Sequence, residues 1–516
     1  MESDDFRLVD ELRRHARERG DHPALTLDDH TLSYAELDER SNRVAQALRA
    51  DGVREGDRIA VLDKNSVEIV EILFGAIKVG AVLAPLNWRL TAPELSAVLN
   101  DAGATLLFTR KDFAATAERL AVSVGTLVKT IELGGDYEKW LGAAAAADTG
   151  FRGEPDTVVW QLYTSGTTGR GKGVLSTNRN LSAVEGGAGP SWGIDDTSVN
   201  LVAMPMFHIG GLGYLTVGLV FGAHNITVRE IVPPDLLRLI VEKRVTNTFL
   251  VPSVIGMLAA LPGAADHDYS ALRSIAYGAS PITPADLRRA LSTFKRPLFG
   301  LYGLTETLGA IVQLDAEDHD PDGPRSHLLR SAGKPYPWVE LRIVDPATGT
   351  PSPVGEPGEI LVRSVVNTPG YHNQPDATAA LLDAEGWLHT GDIGSLDAEG
   401  YLTISDRLKD MIITGGENVY PVEVEAVLAD HPDVAQVAVV GRPDPKWGEA
   451  IVAVVVPRPG ASPTADDLLA FARDRLAGYK LPKTVDFSDS LPMGPTGKIL
   501  KRELRRRYRD TATPPA

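Results

Sequence analysis

The chain has 516 residues, of which 43% are hydrophobic and 23% charged, a composition typical of a globular protein with more than one domain. The absence of cysteine excludes disulfides, thiolate metal sites and cysteine nucleophiles. The formal net charge of −17 disfavours nucleic acid as a partner. No apolar stretch reaches the length of a bilayer span and no apolar signal core is visible, so we expect a cytoplasmic protein without an integral membrane segment.

The first half of the chain alternates predicted helices and strands. The segment "SYAE", residues 33–36, fits a capping box at the start of a helix, and apolar residues at helical spacing follow it. Next come the predicted strand "RIAVL", the predicted helix "SVEIVEILFGAIKVG" and the predicted strand "AVLAPLN". Strand, helix and strand with short turns indicate a parallel sheet flanked by helices.

The segment "YTSGTTGRGKG", residues 163–173, is typical of a phosphate-binding loop. Its glycines let successive backbone N–H groups point into one concavity, and its hydroxyls and lysine add donors for oxyanions. A P-loop would carry a hydroxyl where Gly173 stands, and a helix would start at the lysine. The following "GVLSTNRNLS" instead favours a strand and a later helix, so we expect a loop between two strands. A plain flexible turn is the alternative.

The sequence pattern changes after about residue 349. Turn-rich, strand-like sequence with two acidic-glycine turns predicts hairpins up to about residue 407. Helix, strand, strand, helix and strand patterns follow, in "PVEVEAVLADHP", "AQVAVVG", "AIVAVVVP", "ADDLLAFARDRLAG" and "KTVDFS". These predict a small α+β module of roughly a hundred residues, within the usual range for a domain.

Five segments in order carry a resemblance to a known family: "YTSGTTGRGKG", "YGLTE", "HTGDIG", "DRLKDMIITGGENVYPVEVE" and "PTGKILK". Together they resemble the adenylate-forming superfamily of acyl-CoA synthetases, aryl-CoA ligases, luciferases and stand-alone adenylation enzymes. The resemblance implies an α/β fold with a large N-terminal domain, residues 1–406, of parallel-type sheets flanked by helices plus a small β-barrel-like part. It further implies a hinge at 407–409 and a small mobile α+β domain at 410–516.

The implied reaction joins a carboxylic acid to AMP with release of pyrophosphate and then transfers the acyl group to a thiol. ATP, Mg²⁺ and CoA are the implied cofactors and co-substrates. The resemblance implies that nucleotide and phosphates are bound by Thr164, Ser165, Gly166, Thr167, Thr168, Gly169, Lys172, Gly278, Ala279, Ser280, Tyr302, Gly303, Thr305, Asp392, Arg407 and Lys498.

Chemistry gives several of these residues distinct roles. Tyr302 offers a flat face for adenine and Thr305 a hydroxyl for the α-phosphate. Glu306 is a hard oxygen ligand suited to Mg²⁺, and the resemblance implies Thr164 as a further contact. Glu306 follows an apolar strand, and ligands bind at the carboxyl ends of strands in such sheets. Asp392 can accept the two ribose hydroxyls.

The implied catalytic residues are Lys172, Thr305, Glu306, Arg407 and Lys498. Lys498 lies in a Gly/Pro-rich loop, and the family implies that it enters the site for adenylation and then leaves. A mobile cation suits a transition state that gains negative charge. Lys409 matches the hinge position, and the implied thiol tunnel involves Gly415, Gly416 and Trp447.

The segment "PMFHIGGLG", residues 205–213, matches the part of the family that lines the acyl pocket, for which we expect Phe207, His208, Gly211 and Tyr277. His208 fits a gate at the pocket mouth, while a catalytic base and a structural core histidine remain open. The glycines leave space, and no charged residue appears in the lining segments. This favours medium- or long-chain fatty acids or aryl acids over amino acids.

CoA is the favoured acceptor, and a phosphopantetheinyl carrier protein is the alternative. Either partner is anionic and suits the basic residues of the small module, which are Arg442, Lys446, Arg473, Arg475, Lys480 and Lys483. A non-catalytic nucleotide-binding relative, a P-loop NTPase or kinase, and a luciferase-like oxidase are the other functions that the sequence leaves open.

Overall fold

The structure is a computed structural model that describes residues 5–164, 171–184, 187, 189–280, 282–407, 410–414, 417–444, 447–473, 475–476, 478–493 and 499–510. Two compact units divide the chain, residues 1–341 with 362–388 and residues 342–361 with 389–516. In the described ranges, every helix is too short or too polar to cross a membrane.

The strands of the first unit alternate with helices along the chain. They are β1 (Pro23–Leu27), β2 (His30–Ser33), β3 (Arg58–Leu62), β4 (Val82–Pro85), β5 (Leu106–Thr109), β6 (Lys129–Glu132), β7 (Val158–Thr164), β8 (Lys172–Thr177), β9 (Val199–Val202), β10 (His224–Thr227), β11 (Asn247–Leu250), β12 (Ser274–Gly278), β13 (Leu298–Leu304), β14 (Gly309–Leu314) and β15 (Lys334–Pro335).

These strands form two sheets. A six-stranded sheet has the order β6-β5-β3-β4-β7-β8 and is parallel except for the antiparallel pair β7 and β8. A nine-stranded sheet has the order β15-β14-β13-β12-β11-β9-β10-β1-β2, with antiparallel strands at both edges. Strands β4, β5, β11 and β12 are buried along their whole length, as expected for parallel strands covered on both faces. The predicted α/β fold is confirmed.

The helices of this unit flank the sheets. They are α1 (Leu8–Glu18), α2 (Tyr34–Ala50), α3 (Val67–Ile77), α4 (Ala92–Ala102), α5 (Ala114–Ser123), α6 (Gly135–Gly142), α7 (Asn178–Ala183), α8 (Gly189–Ser191), α9 (Ile209–Val220), α10 (Pro233–Glu242), α11 (Pro252–Ala259), α12 (Pro284–Phe294) and α13 (Pro375–Leu381). The capping box predicted for α2 is present: Ser33 N–H donates to Glu36 Oε2 at 2.8 Å, and Glu36 N–H donates to Ser33 Oγ at 3.2 Å.

The two faces of the nine-stranded sheet pack into different cores. Side chains alternate along β12, so that Ala276 joins the core that contains Phe249, whereas Ile275 and Tyr277 join the opposite core with Leu258. This alternation fixes which side chains can meet a ligand on a given face.

A four-stranded sheet follows in the order β16 (Val339–Val344), β17 (Gly358–Ser364), β18 (Leu388–Leu396) and β19 (Leu402–Arg407). Strands β18 and β19 form the predicted antiparallel hairpin.

The last part of the second unit is an α+β module. Its elements are β20 (Ile412–Thr414), β21 (Glu417–Val419), α14 (Pro421–Ala429), β22 (Val434–Asp444), β23 (Gly448–Pro457), α15 (Ala465–Arg473), β24 (Thr484–Phe487) and α16 (Lys501–Asp510). Strand β22 pairs with β23 in antiparallel orientation, and β24 pairs with β23 in parallel. The helices and strands predicted here are confirmed.

Candidate nucleotide and acyl site

The glycine-rich segment joins two antiparallel strands, as its sequence predicted. Thr164 ends β7, Lys172 begins β8, and the two residues are partners across the strand pair. Strand β8 then runs to Thr177, so the helix that a P-loop needs at its lysine is not present at Lys172. The nucleotide candidates Ser165, Gly166, Thr167, Thr168 and Gly169 lie outside the described residues.

Hydrogen bonds anchor the two ends of this loop, the first to helix α4 and the second to Gln374. Tyr163 Oη donates to Asp101 Oδ2 at 2.7 Å and accepts from Gln161 Nε2 at 2.7 Å. After the loop, Gln374 Nε2 donates to the carbonyl oxygen of Gly171 at 3.2 Å. Burial and the Asp101 carboxylate raise the pKa of Tyr163, so its hydroxyl stays a donor. The phosphate-loop candidate therefore starts from two anchored ends.

The carboxyl end of β13 presents Glu306. The strand ends at Leu304, and a 3-10 turn over Thr305–Thr307 leads into the antiparallel strand β14. Leu304 N–H donates to Thr307 Oγ1 at 3.0 Å, which holds the turn. Gly303 is required because a Cβ at this position would collide with the carbonyl oxygen of Gly309. Glu306 and Thr305 are both half-buried, which leaves them accessible to a ligand.

The predicted adenine segment ends beside this turn. Strands β12 and β13 are parallel neighbours, with Gly278 opposite Leu301, so Ala279 and Tyr302 lie at the same edge of the sheet. Ala279 has a φ of 68°, a left-handed conformation that costs energy in any residue other than glycine. Ser280 is exposed. The structure thus brings "YGAS" and "YGLTE" together.

Tyr371, which the sequence did not single out, connects Glu306 to Lys172. Its Oη donates to Glu306 Oε1 at 2.8 Å. Lys172 Nζ lies 4.6 Å from the centroid of the Tyr371 ring. The turn dipeptide Pro369-Gly370 before it is the available sequence signal, and it says nothing about these contacts.

The charge pattern at this point suits an anionic ligand that carries a cation. Within the described residues, neither Glu306 nor Lys172 forms an ion pair with a protein side chain, and no cluster of three or more His, Asp or Glu residues could hold a metal. Mg²⁺ commonly binds through one or two carboxylates together with substrate phosphates. Glu306, with one oxygen held by Tyr371, and the hydroxyl of Thr164, the cross-strand partner of Lys172, are residue types that fit that pattern.

The two ribose candidates are paired in the four-stranded sheet. Asp392 in β18 and Arg407 in β19 are direct partners across the antiparallel pair. Asp392 is 5% exposed, and its N–H donates to Thr390 Oγ1 at 3.0 Å. The preceding His389 Nδ1 lies 3.0 Å from Glu359 Oε2, which holds the "HTGD" turn in place.

The acyl-pocket candidates lie at the start of α9, with one exception. His208 is the N-cap of this helix, and its ring centroid lies 4.4 Å from that of Phe207. A Cβ at Gly210 would meet the ring of Phe249, which places this turn on the Phe249 face of the sheet. The side chain of Tyr277 lies on the opposite face, where its Oη is 2.9 Å from His319 Nε2.

A close backbone contact and a side-chain brace fix the backbone of residues 204–211. The space beside Gly211 is occupied by the carbonyl oxygen of Pro205, so this glycine is needed for a close backbone approach. Asn65, which the sequence did not suggest, braces the segment: its Nδ2 donates to Met204 O at 3.0 Å and its Oδ1 accepts from Met206 N–H at 2.8 Å.

The remaining predicted residues belong to the small module. Lys409, Gly415, Gly416 and Lys498 lie outside the described residues. Trp447 is 39% exposed, and Lys483 Nζ lies 5.3 Å from its ring centroid.

Comparisons with known proteins place this geometry in context. Residues 12–372 match the family model described as AMP-binding enzyme, and residues 423–498 match the AMP-binding enzyme C-terminal domain. The chain is 40% identical over 510 residues to a fatty acid–[acyl-carrier-protein] ligase of Streptomyces coeruleorubidus, covering 97% of this chain and 96% of the relative. It is 40% identical over 493 residues to a feruloyl-CoA synthase of an Amycolatopsis species, covering 92% and 94% of the two chains.

A solved structure shows the same similarity in three dimensions. The o-succinylbenzoate CoA synthetase of Bacillus subtilis, in complex with its acyl-adenylate intermediate, superimposes with a TM-score of 0.84 at 32% identity. The match covers 96% of this chain and 97% of that one.

Proposed function

This chain belongs to the AMP-binding enzyme family, and we propose that it activates a medium- or long-chain fatty acid or an aryl acid and transfers the acyl group to CoA. It is an ATP-dependent, AMP-forming ligase that uses ATP, Mg²⁺ and a thiol acceptor. The observation that carries the proposal is the arrangement of Lys172, Tyr371 and Glu306, with Lys172 beside the carboxyl end of β7 and Glu306 just after that of β13. The cytoplasm, where ATP and CoA are available, is the proposed location.

In the first half-reaction, a carboxylate oxygen attacks the α-phosphorus of ATP. The bond between this phosphorus and the bridging oxygen breaks, and pyrophosphate leaves with the electron pair. Catalysis consists mainly of positioning and of charge stabilisation. Lys172 and the glycine-rich loop hold the departing phosphates in this proposal, and Thr305 binds the α-phosphate.

Mg²⁺, when bound, neutralises phosphate charge. Glu306 and Thr164 would hold it, and Tyr302 with Gly278, Ala279 and Ser280 would line the adenine. Asp392 and Arg407 would bind the ribose.

In the second half-reaction, the thiol sulfur attacks the acyl carbon, AMP leaves, and the thiol proton is released. We propose that one site serves both steps because residues 410–516 rotate about a hinge at 407–409 relative to residues 1–406. Lys498 would approach for adenylation and withdraw afterwards, so that Gly415, Gly416 and Trp447 could form the thiol tunnel.

The substrate class follows from the acyl segment. Phe207 and His208 present aromatic faces at the start of α9, and Gly210 contacts Phe249, so the neighbourhood is apolar. A relative that acts on a fatty acid and one named for a feruloyl thioester support the two classes of acid.

A carrier protein is the second candidate acceptor. The relative from Streptomyces coeruleorubidus is a ligase for an acyl-carrier protein and is 40% identical over almost the whole chain. Thioester formation with free CoA, compared with formation on a phosphopantetheinyl carrier protein, separates the two acceptors.

The test of the proposed function is carboxylate-dependent exchange of pyrophosphate into ATP over a panel of fatty, aryl and amino acids. We expect exchange with fatty or aryl acids, and Lys498→Ala should reduce it strongly. Lys501→Ala is the matched control, because Lys501 pairs with Glu425 at 2.8 Å and has no role in the proposed site.

Other outcomes would contradict the proposal. Activity confined to α-amino acids would refute the substrate class. ADP and phosphate as products would indicate an NTPase. Nucleotide binding without turnover would indicate a non-catalytic relative. Emission of light or consumption of oxygen would indicate an oxidase.

A further inference from the structure

We propose that Tyr371 is a positioning residue that keeps Lys172 and Glu306 apart and orients one oxygen of Glu306. The proposal rests on the proposed function, because it assumes that Lys172 meets phosphate and Glu306 meets the metal that accompanies ATP. It adds a residue that neither the motifs nor the resemblance pointed to.

The backbone on both sides of Tyr371 is fixed along the edge of β8. Leu175 N–H donates to Gly370 O at 3.2 Å, and His372 N–H donates to Gly173 O at 2.8 Å. Tyr371 forms a bridge with Val174 between them. The segment therefore forms a single antiparallel bridge to β8, the strand that carries Lys172.

The same segment is tied to the turn that carries Glu306. Thr368 N–H donates to the carbonyl oxygen of Glu306 at 2.8 Å, while Thr368 Oγ1 donates to Leu175 O at 2.6 Å. Tyr371 N–H donates to Thr378 Oγ1 at 2.9 Å. With only 7% of its surface exposed, the side chain has little freedom to move.

The two ends of the Tyr371 side chain meet opposite charges. The ring faces the Lys172 ammonium at 4.6 Å, within the range of a cation–π contact. The hydroxyl donates to Glu306 Oε1 at 2.8 Å.

A neutral aromatic spacer explains why both charges remain available. A lysine and a glutamate that approach within about 4 Å form an ion pair, which would neutralise the groups that phosphate and metal require. Tyr371 contacts each group without cancelling its charge, and no other side chain in the described part of the chain bonds to the second oxygen of Glu306. Outer-shell partners of metal ligands commonly set metal affinity in this way.

Direct binding measurements test this inference. We expect Tyr371→Phe, which keeps the ring and removes the hydroxyl, to weaken binding of Mn²⁺·ATP by roughly 10- to 100-fold. Binding of ATP without metal should change by less than about twofold, because the ring still holds Lys172. Titration calorimetry with ATP alone, and electron paramagnetic resonance with Mn²⁺ and ATP, report the two affinities.

A second variant tests the spacer. Tyr371→Leu removes the ring as well, so Lys172 and Glu306 can pair and the affinity for metal-free ATP should also fall. Adding Glu306→Gln to Tyr371→Leu should restore that affinity, because Lys172 then has no carboxylate to meet. A purely structural role for Tyr371 predicts no such recovery.

One control and one further variant complete the design. Tyr137→Phe deletes the same hydroxyl from a buried tyrosine–glutamate pair elsewhere in the first unit and should leave both affinities unchanged. Thr378→Val removes the acceptor for Tyr371 N–H and should weaken Mn²⁺·ATP binding in the same direction, which provides a route independent of Tyr371 itself.

The inference and the proposed function fail differently. Wild-type Mn²⁺·ATP affinity in Tyr371→Phe, with intact acid-dependent pyrophosphate exchange, would overturn the inference and leave the function standing. Selective loss of Mn²⁺·ATP affinity in a protein that forms no acyl-adenylate would support the inference while refuting the function.

Discussion

Two tyrosine–glutamate pairs in the first unit share the same hydrogen bond and differ in everything around it. Tyr137 Oη donates to Glu71 Oε2 at 2.7 Å, and Tyr371 Oη donates to Glu306 Oε1 at 2.8 Å. The Glu71 side chain is 1% exposed and also receives Arg40 Nε on Oε1 at 2.7 Å. Both of its oxygens are thus occupied, and its charge is neutralised.

Glu306 is half-buried, and among the described residues its carboxylate has Tyr371 as its only hydrogen-bond donor. A buried charge must be paired, so Glu71 can serve only the packing of α2, α3 and α6. A carboxylate that keeps its charge and one open oxygen can take a cation. The two pairs therefore differ in function because both oxygens of Glu71 are bound by protein donors, whereas among the described residues only one oxygen of Glu306 is.

The largest expected effect separates the two glutamates by activity. Glu306→Gln should lower the rate of adenylation by roughly 10²- to 10³-fold, the range seen when one charge-stabilising group is lost. The measurement is pyrophosphate exchange at saturating ATP and acid. A loss below threefold, with unchanged dependence on Mg²⁺, would make Glu306 no different from Glu71.

Protection by nucleotide sharpens the same contrast. A ligand at 100 times its dissociation constant stabilises the folded state by about 2.7 kcal/mol. We expect Mg²⁺·ATP to protect the wild type and Glu71→Gln by equal amounts in thermal unfolding, and Glu306→Gln much less. Equal protection of all three proteins would break the comparison.

For the free energy of unfolding, we expect Glu71→Gln to have a larger effect than Glu306→Gln, the reverse of their order in activity. Glu71→Gln removes a charge-paired acceptor from the interior and should reduce the free energy of unfolding by roughly 1–3 kcal/mol, with little change in the rate of adenylation. Denaturant unfolding measures the first quantity and pyrophosphate exchange the second.

The stability that Glu71→Gln loses should depend on pH, in a direction set by the pKa of Glu71. Burial raises the pKa of Glu71 despite the opposing contributions of Arg40 and Tyr137. The folded protein therefore keeps a proton that the unfolded chain loses above about pH 4.5, and this contribution to stability declines as pH rises through that window. The stability gap between wild type and Glu71→Gln should narrow as the pH rises above about 4.5, and a widening gap would show that the pKa is lowered.

The smallest expected effect is that of Tyr137→Phe. Loss of one buried hydrogen bond should cost about 1 kcal/mol of unfolding free energy. The Michaelis constants for ATP and acid should stay within twofold, whereas Tyr371→Phe should raise the constant for Mg²⁺·ATP.

Much of this contrast could not be predicted from the sequence. Local signals identified the capping box of α2, the loop between β7 and β8, and the apolar strand that precedes Glu306, because each depends on neighbouring residues. Tyr371 lies 65 residues from Glu306, and its role depends on where the chain returns to β8. Pattern and spacing carry no information about such a contact.

The acyl segment shows a second limit. Tyr277 and Gly278 are adjacent in the chain, yet strand alternation sends the Tyr277 side chain to the opposite face of the sheet from α9. Asn65 braces Met204 and Met206 from a distant turn. Sequence proximity to a motif indicates the correct edge of a sheet, and only the register decides which face a side chain serves.

The late position of Tyr371 has a consequence for biosynthesis. Lys172 and Glu306 leave the ribosome long before the segment that docks on β8, and domains form from the N-terminal side during translation. Until that segment arrives, the ring of Tyr371 does not lie between the lysine and the glutamate, and under the proposal the two side chains are then able to pair. We therefore expect nucleotide binding by a growing chain to begin only once Tyr371 has reached the edge of β8.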